Sequence, residues 1–182
     1  MTVAEIFEKI NSHMIEGIML HDQMSEYYDF LDLNGFKRCH EYHAICEFKT
    51  RRKIVRYYIN HFGKLLSEVN AEDPQVIPNN WRNYTRQEVD TNTKKRAIRD
   101  GFAKWQEWEK ETKKLYEKLV WELYSLGEIA AAKEISKLVK DVDHELKIVE
   151  RKSIMLASID YDLPSIYLEQ AEIHKKYKAK LK

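Results

Sequence analysis

Four long stretches of this chain repeat apolar residues at spacings of three and four, almost free of glycine and proline. That periodicity is the mark of amphipathic helices. The breakers fall between the stretches. Asn34-Gly35 in DLNGF is a turn signal. The segment NAEDPQVIPNNWRNYTRQEVD, residues 70–90, holds two of the three prolines and reads as one long loop. Gly127 suits a helix C-terminus, and Asp162 ahead of Pro164 suits a helix start. Five helices are predicted, over about 2–31, 36–69, 92–126, 128–158 and 163–180. An all-α fold follows, with residues 1–182 forming one domain large enough to bury a core. So long a connection is unusual in a compact domain. It can run the length of a bundle, which would leave the second and third helices parallel.

Composition narrows the function classes. With 31 Lys+Arg against 30 Asp+Glu, the chain lacks the basic surplus that nucleic-acid binding draws on. No apolar run approaches the ~18 residues of a membrane span, and MTVAEIFEKINSH is unlike a secretory leader. Cys39 and Cys46 sit roughly 10 Å apart along one helix, too far to bond to each other. They read as reduced core thiols of a cytoplasmic protein. No Gly-rich phosphate loop, nucleophile elbow or triad pattern occurs. The basic cluster KTRRKIVRYY and the C-terminal EIHKK read as solvated helix faces, and Trp108 as a surface or interface residue.

The expected buried stripes are more informative. The first helix offers Ile6, Ile10, Met14, Ile18, His21, Met24, Tyr28 and Leu31; the third offers Ile98, Phe102, Trp105, Glu109, Thr112, Tyr116, Leu119, Leu123 and Leu126. The fourth offers Ile135, Leu138, Val142, Glu145, Val149, Lys152 and Leu156. The second is polar through its middle: Phe36, His40, His43, Glu47, Thr50, Ile54, Tyr57, His61 and Leu65. A carboxylate therefore interrupts the stripe near the centre of three helices. Taken singly, such a glutamate is ordinarily a rim residue; the coincidence of three gives the pattern weight. Buried charges are normally paired or bound to metal, and converging carboxylates must share protons or cations. Iron or manganese accepts carboxylate oxygen together with imidazole. Glu47, Glu109 and Glu145 are therefore candidate metal ligands. His43 joins them because it lies four residues before Glu47 on the same face. His21 and His40 read first as satisfied core histidines.

QMSEYYDFLDLNGFKR (23–38), the run from His43-Ala44 to Glu47, WEKETKKLYEKLV (108–120) and DVDHELK (141–147) together resemble the ferritin-like superfamily. The resemblance implies a four-helix bundle with a long crossover and a short fifth helix. It implies an iron or manganese site acting on oxygen or peroxide, with Glu47, Glu109 and Glu145 at ligand positions. This sequence departs from the pattern at three others, where Met14, Thr50 and Val142 stand. His43 could compensate for Thr50, and His21 could compensate for Met14 only at a site displaced along the bundle. The strongly basic C-terminus disfavours a two-dozen-subunit cage and favours a dimer or other small homo-oligomer. A metal-free relative that uses the scaffold to bind another protein is the alternative.

Overall fold

The computed structural model describes residues 1–67, 69–77 and 84–181. These form five helices and no strand: α1 Val3–Phe30, α2 Asn34–Phe62, α3 Thr91–Ser125, α4 Ile129–Ser158 and α5 Leu163–Lys180. A short 3₁₀ turn, Arg86–Glu88, precedes α3. None of the described helices is long and apolar enough to cross a membrane.

Local chemistry sets the ends. Thr2 and Glu5 close a reciprocal capping box on α1. Asp90 accepts from the Thr93 amide at 2.7 Å to start α3, and Asp162 does the same for α5 through Ser165 at 3.0 Å. The expected extension of α2 to residue 69 is wrong. Gly63 takes a left-handed conformation (φ 65°) and its amide bonds to the Ile59 carbonyl, so the helix stops at Phe62. Leu65 consequently leaves the buried stripe, being 79% exposed, and His61, in the last turn of α2, faces solvent. At the other end, Gly35 lies inside α2 rather than in a turn. It is glycine because α5 crosses there: a Cβ on it would come within 2.0 Å of the Gln170 carbonyl oxygen.

Side-chain pairings fix the directions. As residue numbers rise along α1 they fall along α2, from Asn11–Arg51 to His21–His40, so the two are antiparallel. Lys113–Asp143 and Gln106–Glu150 make α3 and α4 antiparallel in the same way. His13–Thr112 and Tyr27–Ala97 set α3 antiparallel to α1, which leaves α2 and α3 parallel. The connection between these parallel helices tracks along α1. Its Ser67 meets Glu8, Asn70 meets Ser12, Glu72 meets Glu16, Val76 meets Gln23 and Arg86 meets Asp32.

The core is in two pieces. One joins Leu20, Met24, Tyr28, Phe36, Ile98, Phe102, Trp105, Val149 and Leu156 with Ile166 and Ile173 of α5. The other joins Ile6, Phe7, Ile10, Met14, Ile54, Tyr116, Leu119, Leu123, Ile135 and Val142. Each fully buried aliphatic or aromatic side chain contributes about 2 kcal/mol. Between the pieces, all four long helices carry polar or small residues at one level: Gly17 on α1, His43 and Glu47 on α2, Glu109 and Thr112 on α3, Glu145 on α4. Glu109 is only 6% exposed and Thr112 only 5%.

Candidate functional site

The polar level encloses a cavity of about 210 Å³. Glu47, Glu109 and Glu145 all line it, arriving from three helices, and His43 lines it beside them. Apolar walls come from Met14, Tyr116, Leu138 and Val142, while Asp141 and His144 stand at the exposed side. Thus four of the five candidate ligands share one cavity. His21 does not: its Nδ1 lies 2.9 Å from His40 Nδ1, and its ring lies 5.2 Å from that of His43.

Each carboxyl group has a distinct setting. Glu109 Oε1 accepts a hydrogen bond from the Trp105 indole Nε1 at 2.9 Å, one helical turn away. Burial still dominates, with the charges of Glu47 and Glu145 adding to it, and pushes the Glu109 carboxyl up to about 8. The Glu47 carboxyl carbon lies 3.7 Å from where a Cβ on Gly17 would stand, so it is packed against the backbone of α1. Burial, then Glu145 and Asp141, push it up to about 7. Glu145 is raised as well, chiefly by burial. Near neutral pH, Glu47 and Glu109 therefore hold protons for much of the time.

The histidines shift the other way. His43 is pushed down to about 4 by burial, with Lys180 and Lys176 contributing. Its Nδ1 stands 3.7 Å from Glu145 Oε2, and since the ring is neutral this is a polar contact rather than an ion pair. Two buried atoms here lack a hydrogen-bond partner, His43 Nε2 and Glu145 Oε2. His21 and His40 are held well below the ordinary imidazole range by burial first and by neighbouring imidazoles second. Among the described residues, no three His, Cys, Asp or Glu side chains converge closely enough to grip an ion in their present rotamers. Ligation through this cavity would need Glu47, Glu109 or Glu145 to swing.

Several neighbours were not anticipated as parts of the site. His13 bonds to Thr112 Oγ1 at 2.8 Å and stacks on Trp108 at 4.4 Å, so Trp108 is an inward, half-buried residue rather than a surface one. The Trp105–Glu109 bond was legible as an i, i+4 donor–acceptor pair. Asp141, one turn before Glu145 on the same face, and His144, adjacent to Glu145, join the cavity from α4. Both cysteines are free; Cys39 is buried, and Cys46 lines the cavity half-exposed. Neither a scan against protein-family models nor a search of curated proteins finds a match for this chain.

Proposed function

We propose that this chain is a ferritin-like helical bundle whose central polar level binds a divalent transition-metal ion, iron or manganese. The observation that carries the reading is the meeting of Glu47, Glu109 and Glu145 at one cavity between two apolar half-cores. Buried carboxyl groups without a cation are costly, and here two of them persist by keeping their protons. Oxygen donors with one imidazole suit a hard or borderline cation. The residues that would hold it are Glu47, Glu109, Glu145 and His43, whose Nε2 is without a partner. Bound there, iron or manganese would supply redox chemistry toward oxygen or peroxide.

The chain's own residues have definable parts. Glu47 and Glu109 release protons as they take up the cation. The Trp105 N–H holds one oxygen of Glu109 and so orients the carboxyl. Met14, Leu138 and Val142 keep the inner side of the cavity dry. Parallel α2 and α3, joined by a connection that climbs α1, support the ferritin-like comparison. The departures at Met14, Thr50 and Val142 make the ligand set smaller than that family's.

Thermal melting with and without manganous or ferrous ion tests the reading. A cation that binds only the folded chain raises its melting temperature by mass action, and Glu47→Gln with Glu109→Gln removes the increment. An unmoved transition in the wild-type chain, or an equal increment in the doubly substituted one, refutes it. A second reading has its own observation. Trp121, Leu126 and Ile129 are 71%, 47% and 54% exposed around the α3–α4 turn, an apolar patch of the kind that protein partners cover. A metal-free scaffold that binds another protein or its own copy would use that end of the bundle.

A further inference from the structure

A second cavity, of about 350 Å³, lies on the other side of the histidines, between α2, α3, α4 and α5. Its walls are Phe36, Phe102, Trp105, Ile148 and Ile173, and His40 forms part of the lining. A space of this size with aromatic walls falls at the small end of ligand pockets. An apolar cavity of about 150 Å³ takes one benzene ring, so this one has room for two.

Polar atoms define the rest of the ligand. His40 is 1% exposed and its Nδ1 is engaged by His21. No hydrogen bond from the described residues reaches its Nε2, which is left for whatever enters. Two of the charges near the mouth are matched, Lys152 with Glu169 and Glu172 with Lys175, while Lys176 lies over the Tyr177 ring at 5.2 Å without a counter-charge among the described residues. Lys176 stands exposed at the mouth, where water and salt screen it, and the walls deeper in carry no charge to select an anion or a cation.

We propose that this cavity binds an uncharged two-ring aromatic molecule carrying one hydroxyl or N–H group, which bonds to His40 Nε2. The proposal does not rest on metal binding at the carboxylate level. The test is calorimetric titration of the full chain with 2-naphthol, whose hydroxyl both donates and accepts and so suits either tautomer of His40. One-to-one saturable binding is expected, with naphthalene about tenfold weaker for want of one hydrogen bond. Ile173→Trp should abolish binding by filling the space. Ile148→Trp, on the half-buried wall, repeats the test where the fold has more room to adjust, with folding of both variants checked by circular dichroism. Absence of saturable binding to the wild-type chain overturns the proposal, as does unchanged binding in a folded filled variant. Equal affinity for naphthalene overturns the role of His40, and tighter binding of 2-naphthoate overturns the preference for an uncharged ligand.

Discussion

Replacing Glu109 by glutamine should stabilise the metal-free protein at alkaline pH and do little at acid pH. The folded chain holds this carboxyl up to about 8, against 4.5 for an ordinary glutamate. A group whose folded pKa is raised contributes fully below its unfolded pKa and loses that contribution as pH climbs through the folded value. The penalty therefore grows from about pH 4.5 to about pH 8 and is constant beyond. At about 1.4 kcal/mol per tenfold change, it reaches on the order of 5 kcal/mol by pH 9. Part of it belongs jointly to Glu47 and Glu145, whose charges also act on this group, so substitutions among the three will not add. Glutamine keeps an oxygen to accept the Trp105 N–H and cannot ionise. For a chain of this size each kcal/mol moves the melting temperature by about 2–4 °C. Glu109→Gln should thus melt about 10 °C above wild type at pH 9 and within a few degrees of it at pH 5, read by far-ultraviolet circular dichroism in chelator. An offset between the two proteins that does not change with pH would refute the reasoning.

Two further outcomes follow from the same geometry. His43, pushed down to about 4 from 6.5 by burial, contributes stability that is present above about pH 6.5 and lost as pH falls toward 4. This amounts to about 3 kcal/mol, so His43→Phe should flatten the acid limb of a urea-denaturation profile, and an unchanged limb would count against a neutral buried ring. Gly35→Ala would drive a methyl group into the Gln170 carbonyl and should cost at least about 2 kcal/mol. The loss should come as early detachment of α5, visible as loss of amide-exchange protection over Leu163–Lys180 while α1 stays protected.

The α3 stripe was readable almost residue for residue, because Ile98, Phe102, Trp105, Tyr116, Leu119 and Leu123 are bulky and regularly spaced. Helix α2 was harder. Its stripe is mostly histidine, glutamate and threonine, so periodicity alone could not tell a buried polar layer from a wet face, and a breaker, Gly63, was read through. Gly35 was read as a turn because the sequence does not reveal that another helix crosses there. The carboxylate level was visible as three interruptions at matching heights. The pairing of His21 with His40 and His43 was not, because it depends on the register between α1 and α2. The aromatic cavity behind His40 was also hidden, since α5 makes one of its walls and the placement of α5 is tertiary information.

Carboxyl groups from three helices meet at one cavity, and two of them, Glu47 and Glu109, hold protons that a bound cation would displace. Titration calorimetry with manganous ion at pH 6.5, repeated in buffers of different ionisation enthalpy, measures protons released per ion bound. Saturable binding with release of about one proton or more, reduced in Glu47→Gln and in Glu109→Gln, is the expected result. Binding without proton release, or no binding at millimolar ion, would contradict it.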